Sequence, residues 1–472
     1  MKQKHLSDLS FFINRKRKTH MPVYLHTEKS FKPWLKKQKA ITAAQVEQAG
    51  FKGKPETACV VIDQTGKPSF VLVGIASPIG TYDLAYAVQV IEKTFRGDAL
   101  GQVSFFIESD EKNLNNAYLG WALGCYQFTT YKQKTPAKPA LVIKGNIGKD
   151  RVLAEAIFLL KDLINQPANH LGPEEIEAAV RAVAAPHKAK VKVVKGDDLI
   201  KQNFPLIYTV GEASPRLPRL IELNWGNTKH PKLTLVGKGV AFDTGGLNLK
   251  PTSYMALMKK DMGGSAHALA LAHLVMSLKL PVNLQLLIPA VENSVSGNAF
   301  RPGDVIKSRK GLFVENTNTD AEGRLILADT LTYACERTPE LIIDFATLTG
   351  SARAALGPDI PALFSNNDKV ADTIRKAAFD EADPLWPMPL WDLYKKHIES
   401  STGDLLNSAG LPGDLIYSAL FLKQFLSDDT KADWVHIDCY AWEHTGRTGR
   451  PRGGADTGLR AMLAYLEKRF AA

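Results

Sequence analysis

The stretch GLFVENTNTDAEGRLILADTLTYACERTPELIIDFATL, residues 311–348, contains a strand, a helix and a second strand in succession. Its apolar ends predict a strand and turn over 311–318 and a strand over 340–348. Between them, the residues from Glu322 to Glu336 have helical spacing. This alternation of strands and helices indicates an α/β fold.

The same alternation extends in both directions from this stretch. On its N-terminal side, strands are predicted over 233–238 and 283–291, with a helix over 263–279 between them. On its C-terminal side, a strand over 434–440 is followed by a glycine-rich loop over 446–458 and an amphipathic helix. We therefore expect a central mixed sheet covered by helices on both faces.

The first third of the chain predicts a second, smaller α/β domain. Its predicted strands lie at 57–64, 69–75, 103–108 and 140–145, and its predicted helices at 83–95 and 115–128. A further predicted helix begins at about Asp150 and ends at Asn165, before Pro167. The predicted organisation is a basic, disordered leader at 1–20, an N-terminal α/β domain at 21–150, a linker helix at 151–170 and a catalytic domain at 171–472.

The composition is that of an ordinary globular protein. Of the 472 residues, 45% are hydrophobic and 23% are charged, which excludes collagen-like and wholly disordered chains. No apolar stretch reaches about 18 residues without a charge or proline, so we expect no membrane span. The four scattered cysteines form no CxxC pair, and no secretory signal is present. These features predict a reduced protein in the cytoplasm.

The net charge of +10 comes almost entirely from one end of the chain. Residues 1–40 contain eleven Lys and Arg against two acidic residues, a net charge of +9. Such a run predicts a solvated leader, and attraction to nucleic acid is the alternative. Nucleic acid is not expected as a partner, because the sequence contains no DNA-binding motif. Met21 is a candidate start site that would remove most of the run.

Ligands of open α/β sheets gather at the carboxyl ends of strands, so ionisable residues directly after predicted strands are candidate functional residues. Three segments qualify: VGKGVAFDTGGLNLKP at 236–251, MALMKKDMGGSA at 255–266 and NTDAEGRL at 318–325. They contribute Lys238, Asp243, Lys250, Asp261, Asp320, Glu322 and Arg324. Taken singly, Asp261 is equally well explained as an acid at a helix N-terminus, and Asp320 and Glu322 as capping residues.

Taken together, these residues favour a metal site. Four carboxylates at one site repel each other unless a cation neutralises them. Divalent metals prefer such oxygen-rich clusters, and two adjacent ions can share a bridging carboxylate. The sequence has no HExxH, GxSxG or Walker A motif. His267 and His273 are six residues apart and are predicted to be ordinary helix residues.

The octapeptide NTDAEGRL resembles the signature of the leucyl aminopeptidase (cytosol aminopeptidase) family of two-metal exopeptidases. VGKGVAFDTGG, NLKP and MKKDMGG are similar to the other site segments of that family, in the same order. The resemblance extends from about Asn165 to Arg450. It implies two divalent cations per subunit, Mn²⁺ or Zn²⁺, with magnesium and cobalt also suited to the ligands.

The resemblance also implies a role for each site residue. One ion would be held more tightly, by Lys238, Asp243, Asp261 and Glu322. The other would exchange more readily and be held by Asp243, Asp320 and Glu322. Lys238 would bind as a neutral amine, which requires a lowered pKa. A hydroxide bridging the two ions would attack the peptide carbonyl.

Two further positions match the catalytic residues of the family. Lys250 would polarise the scissile carbonyl as an ammonium, and Arg324 would bind bicarbonate, which acts as the general base. The substrate pocket for a leucine-like side chain would be formed by Met258, Thr347, Leu348 and Gly350. For Met258, simple core packing is an equally good interpretation.

The expected function is a metal-dependent aminopeptidase that releases N-terminal amino acids, preferentially leucine-like ones, from peptides with a free N-terminus. By resemblance we expect a homohexamer without a membrane partner. One alternative is a catalytically idle family member with a nucleic-acid-binding or structural role. The other is a related dipeptidase that acts on Cys-Gly.

Overall fold

The computed structural model describes residues 8–95, 97–111, 113–133, 136–429 and 431–471. The chain divides into two compact units. The N-terminal unit comprises the chain up to Phe158 together with Glu443–Arg452. The C-terminal unit comprises Leu159–Trp442 together with the chain from Gly453 onward.

The N-terminal unit contains a six-stranded sheet with the order Phe12–Ile13, Ala140–Val142, Val103–Glu108, Thr19–His26, Pro68–Gly74 and Thr57–Ile62. Neighbouring strands are parallel except for the last pair, which is antiparallel. Its helices are Glu28–Leu35, Ala40–Gln48, Asp83–Thr94 and Ala117–Cys125, with a 3₁₀ helix at Gly97–Gln102. Every residue of helix Ala117–Cys125 except Gly124 is buried.

The beginning of the chain differs from the predicted disordered leader. Residues 1–7 lie outside the described part of the chain, but residues 8–20 are described and include the strand Phe12–Ile13. This strand pairs with Leu141 and Val142, and the neighbouring Phe11 is only 3% exposed. Burial of this apolar segment outweighs the cost of fixing the adjacent basic run. The density of basic residues predicted disorder, and it gave no indication that Phe11 is buried or that Phe12–Ile13 forms a strand.

The C-terminal unit contains a nine-stranded sheet. The main order is Trp386–Pro387, Ala362–Ser365, Asp433–Asp438, Leu341–Ala346, Lys232–Gly237, Asn283–Asn293, Arg219–Gly226 and Lys190–Lys195, and Gly239–Asp243 pairs with Asn283–Asn293. Three of the strand pairs are antiparallel and the others are parallel. The predicted mixed sheet is confirmed. Short strands lie at Val305–Lys307, Phe313–Glu315, Leu405–Leu406, Trp442–Glu443 and Gly453–Gly454.

Helices accompany this sheet along the whole C-terminal unit. They are Pro173–Ala184, Asp198–Lys201, Pro205–Gly211, Thr252–Met255, Gly263–Ser277, Glu322–Glu336, Gly350–Leu356, Asp368–Asp380, Asp414–Lys423 and Leu459–Arg469, with 3₁₀ helices at Ala185–His187, Met258–Lys260 and Asp392–His397. Helix Gly148–Asn165 contains the point in the chain at which the first unit ends. Among the described residues, no helix is both long enough and apolar enough to cross a membrane.

Glycines let the buried helix Gly263–Ser277 lie directly against the sheet. A Cβ on Gly264 would come within 2.2 Å of the Phe345 carbonyl oxygen. A Cβ on Gly237, in the neighbouring strand, would come within 2.5 Å of the Ser265 Cα. Since real side chains do not tolerate such contacts, only glycine permits this approach. The start of the helix, next to Asp261, is thereby fixed at the end of the strands.

Candidate metal centre

The carboxyl ends of several parallel strands meet at one edge of the large sheet. Lys238 follows the strand Lys232–Gly237, and Thr347 follows the adjacent strand Leu341–Ala346. Asp243 and Asp438 are the last residues of two further strands. Parallel pairing brings these ends together. Several side chains that the sequence predicts to be functional therefore lie at this edge of the large sheet.

Three of the predicted ligands form a compact acidic group. Asp243, Asp320 and Glu322 each offer one carboxylate oxygen, and these atoms lie within 4.8 Å of one another. Asp243 and Glu322 are 2% and 1% exposed. Three carboxylates in so small a volume have the geometry of a site for a divalent cation.

The other predicted ligands adjoin this group. Lys238 Nζ lies 2.8 Å from Asp261 Oδ2 and 3.0 Å from Glu322 Oε1. Lys238 also donates a hydrogen bond of 2.8 Å to the carbonyl of Thr347. We call Lys238, Asp243, Lys250, Asp261, Asp320 and Glu322 the acidic cluster. The structure brings together all of the predicted metal ligands.

With protein groups alone, the pKa of Lys238 lies above its ordinary value. Burial lowers this pKa, but the charges of Asp261, Glu322 and Asp243 raise it by more. The expectation of a neutral amine therefore depends on cations that cancel the carboxylate charge.

Lys250 lies across the acidic cluster from Lys238. Its Nζ lies 2.9 Å from Asp243 Oδ2 and also contacts Asp320 Oδ1. Burial lowers the pKa of Lys250, but Asp243 and the other carboxylates raise it above the ordinary value. Lys250 is therefore a positive charge at neutral pH.

Two of the carboxylates have raised pKa values. Burial and then the charge of Asp243 raise the pKa of Glu322 to about 8, against the opposing effect of Lys238. The same two causes raise the pKa of Asp320 to about 6, against Lys250. Mutual repulsion between carboxylates is thus a real cost of the cluster, and a cation would relieve it.

Three oxygens of the cluster remain available to a further ligand. Asp261 Oδ2, Asp320 Oδ1 and Glu322 Oε1 are buried and accept no hydrogen bond from the described residues. Lysine ammonium groups lie within ion-pair distance of all three oxygens. The donor set, carboxylate oxygens with one amine, suits manganese or zinc. The residues present therefore fit divalent metal.

Arg324 lies two residues after Glu322 on the same helix and is 3% exposed. Its Nη1 donates to the carbonyl of Asn407 at 2.8 Å, and its Nη2 donates to Asp414 Oδ1 at 3.1 Å. Its Nε is buried and has no acceptor among the described residues. The guanidinium is thus rigidly held with one donor to spare.

The predicted pocket residues lie around the turn that follows strand Leu341–Ala346. The Thr347 hydroxyl donates to Asp261 Oδ1 at 2.8 Å. Leu348 and Met258 are half-buried, and Gly350 is exposed. Thr347 therefore contacts a predicted metal ligand directly, whereas the other three lie nearer to solvent.

Two buried residues orient the ligands and were not identified from the sequence. Asn293 donates 2.8 Å and 3.0 Å hydrogen bonds to Asp243 Oδ1 and the Thr319 carbonyl. Asp438 accepts from the backbone N–H of Leu348 at 2.9 Å and from the Thr349 hydroxyl at 2.6 Å. Both are the last residues of strands, so the rule that found Asp243 applied to them also.

An open cavity adjoins Asp320. Its volume is about 530 Å³, and its lining includes Asn248, Thr317, Leu406 and Ala409. Backbone and amide groups share this lining with apolar side chains. The cavity is large enough for several residues of an extended peptide beside the acidic cluster.

Comparisons with known proteins agree with the geometry. A model of the cytosol aminopeptidase family, catalytic domain, matches residues 158–463. A model of the M17 aminopeptidase, N-terminal domain, matches residues 21–144. A relative from Syntrophotalea carbinolica, named "Probable cytosol aminopeptidase", is 42% identical over 330 residues, 69% of this chain and 66% of the relative.

Solved structures are also similar over nearly the whole chain. Cytosol aminopeptidase from Coxiella burnetii has a TM-score of 0.90 and 41% identity, covering 98% of this chain and 100% of that one. The bottromycin maturation enzyme BotP in complex with Mn has a TM-score of 0.84 and 28% identity, covering 95% and 99%. This chain belongs to the cytosol aminopeptidase family and is a metal-dependent aminopeptidase, a hydrolase.

Proposed function

We propose that the acidic cluster holds two divalent cations and that the enzyme uses them to release the first residue of a peptide. The observation that carries this proposal is the convergence of one oxygen each from Asp243, Asp320 and Glu322 within 4.8 Å. Asp243 and Glu322 are central in this group and would contact both ions. Lys238 and Asp261 would complete one site, and Asp320 the other.

Manganese and zinc are the proposed metals. Manganese is supported by the complex of the related BotP with Mn, and both metals accept mixed oxygen and nitrogen ligands. When bound, the cations would supply an acidified water molecule as nucleophile, polarise the substrate carbonyl and bind the free α-amine. Lys238 would give up its proton as the carboxylates around it become neutralised.

Lys250 is proposed to stabilise the charge that develops on the substrate. Its ammonium is held between Asp243 and Asp320, at the edge of the acidic cluster. Because its pKa is raised, it keeps its proton throughout the physiological range. A fixed positive charge of this kind stabilises an oxyanion without reorganisation during the reaction.

Arg324 is proposed to hold bicarbonate. Two of its nitrogens are fixed by Asn407 and Asp414, and its buried Nε still lacks an acceptor among the described residues. A small planar anion fits the guanidinium fork. Bicarbonate would supply the proton acceptor that the acidic residues of the cluster, as metal ligands, do not provide.

The first side chain of the substrate is proposed to lie near Met258 and Leu348, which offer apolar surface to a leucine-like residue. The remainder of the peptide would occupy the cavity beside Asp320. We also propose that the enzyme is a cytoplasmic homohexamer. A molecular mass of one subunit for fully active enzyme in light scattering would contradict the hexamer.

Chelation followed by addition of single metals tests the proposed function. The enzyme is stripped, checked for residual metal by mass spectrometry and assayed on leucyl p-nitroanilide. We expect activity to be lost and to return with Mn²⁺ or Zn²⁺, reaching its maximum at two ions per chain. Full activity in the stripped enzyme, or saturation at one ion, would contradict the proposal.

A further inference from the structure

A second group of charged residues surrounds the ring of Tyr440. The Nζ of Lys260 lies 4.6 Å from the ring centroid. The guanidinium carbon of Arg353 lies 4.9 Å from the same centroid, and its Nη1 donates to the Tyr440 hydroxyl at 3.0 Å. We call Lys260, Arg353 and Tyr440 the Tyr440 cluster.

Two members of the Tyr440 cluster belong to the elements that carry the predicted pocket. Lys260 is the last residue of the 3₁₀ helix Met258–Lys260, which begins at a pocket residue. Arg353 lies one turn after Gly350 on the helix Gly350–Leu356. Both cations therefore approach the ring from segments that border the proposed position of the first substrate side chain.

The third member reaches the pocket through a neighbouring strand. Tyr440 lies two residues after Asp438, whose carboxylate accepts the backbone N–H groups of Leu348 and Thr349. Leu348 and Thr349 form the turn between Thr347 and Gly350. Tyr440 therefore closely follows, along the chain, the residue that holds this turn.

The two cations of the Tyr440 cluster form no ion pair within the part of the chain that the structure describes. Among the described residues, no carboxylate lies within the 4.0 Å of an ion pair from Lys260 or Arg353. The carboxylate of the adjacent Asp261 is engaged with Lys238 and Thr347 instead. Lys260 is nevertheless 5% exposed.

Two cations without an ion-pair partner favour the binding of an anion. Burying an ammonium away from any carboxylate is unfavourable, and contact with an aromatic ring offsets only part of that cost. Two cations against one ring also repel each other. A carboxylate between them would gain charge-assisted hydrogen bonds from both.

We propose that the Tyr440 cluster binds the side-chain carboxylate of an acidic N-terminal residue, so that the enzyme removes N-terminal Glu and Asp in addition to leucine-like residues. The inference rests on the proposed function, since it concerns the same substrate pocket. The aliphatic carbons of such a side chain would pack on Met258, the surface that a leucine side chain would use.

Matched reporter substrates test this proposal. The manganese-loaded enzyme is assayed on glutamyl, glutaminyl and leucyl p-nitroanilides. Glutamine has the shape of glutamate without its charge, so recognition by the cluster predicts a kcat/KM for the glutamyl reporter more than about tenfold above that for the glutaminyl reporter. Equal values for these two reporters would overturn the proposal.

Variants that replace one cation with methionine test whether the Tyr440 cluster causes the preference for the glutamyl reporter. In Lys260→Met we expect the ratio of glutamyl to leucyl kcat/KM to fall about tenfold to hundredfold. Arg353→Met should lower the same ratio. Lys259→Met is the control, because it loses the same charge one residue away, where Nζ donates to the Asn165 carbonyl at 2.7 Å. An unchanged ratio in Lys260→Met, or an equal fall in Lys259→Met, would overturn the proposal.

The leucyl reporter separates the two proposals. Absence of leucyl activity under every metal condition would refute the proposed function itself. Full leucyl activity without a preference for glutamyl over glutaminyl would refute the Tyr440 cluster as an anion site and leave the proposed function standing.

Discussion

The acidic cluster and the Tyr440 cluster lie on neighbouring turns but have opposite charge imbalance. In the acidic cluster, four carboxylates face two lysines, which leaves a surplus of two negative charges. In the Tyr440 cluster, two cations face an aromatic ring, and no carboxylate of the described residues pairs with them.

This difference indicates the ligand of each cluster. A buried group of charges is stable when its sum is close to zero. The acidic cluster therefore requires about one dication's charge beyond its own lysines, and more once Lys238 becomes neutral. The Tyr440 cluster requires an anion. One site is suited to metal and the other to an acidic side chain.

Removing one negative charge from the acidic cluster is expected to have the largest effect, and it tests whether that cluster binds metal. We expect Glu322→Gln to lose both metal binding and at least about 10³-fold in kcat, because this residue would contact both ions. Glu336→Gln, at the exposed end of the same helix, should behave as wild type. Metal analysis together with kcat measures both; retained metal and kcat in Glu322→Gln would contradict the assignment.

Removing a positive charge from the acidic cluster separates catalysis from metal binding. Lys250→Met should lower kcat by about 10²–10³-fold, because an oxyanion loses a fixed partner. Its metal content should stay at the wild-type level, since one competitor for the carboxylates has gone. Loss of metal in parallel with kcat would assign Lys250 a structural role instead.

Asp438 links the two clusters through the turn that contains Leu348 and Thr349. Asp438→Asn keeps the shape but offers donors where Oδ2 accepts from Thr349. We expect metal affinity to fall about tenfold to hundredfold, because Thr347 would orient Asp261 less well. Titration of the stripped enzyme with Mn²⁺ measures this affinity. An affinity equal to wild type would show that the turn does not depend on Asp438.

Metal affinity is also expected to depend on pH. Burial and Asp243 raise the pKa of Glu322 to about 8, and a cation binds only the deprotonated form. Affinity should therefore rise by up to about tenfold for each pH unit below pH 8 from Glu322 alone. It should continue to rise above pH 8, because the proposed ligand Lys238 must also lose its proton. Calorimetric titration between pH 6 and pH 9 measures this slope, and a flat profile would contradict it.

Much of the C-terminal unit could be predicted because its elements have clear periods and boundaries. Helix Glu322–Glu336 begins and ends where its spacing predicts, and strand Asp433–Asp438 overlaps the predicted one. The convergence of the candidate site residues could be predicted, because parallel strand ends meet at one edge of the sheet. The hydrogen bonds of Asn293 to Asp243 and of Asp438 to Leu348 and Thr349 could not be predicted, because they join residues that are far apart in the sequence.

Two features were beyond the sequence for physical reasons. The basic run before Thr19 predicted disorder, yet burial of Phe11 and pairing of Phe12–Ile13 order this segment. The Tyr440 cluster joins residues from three distant segments, and only Lys260 lies in a segment that the sequence analysis singled out. Both depend on long-range packing, which local composition does not reveal.

The central claim is that two cations lie between Asp243 and Glu322, and anomalous diffraction from crystals soaked in Mn²⁺ tests it most directly. We predict two anomalous peaks per chain, each within about 2.0–2.3 Å of carboxylate oxygens of the acidic cluster. An empty cluster, or manganese bound elsewhere while the enzyme is active, would contradict the account.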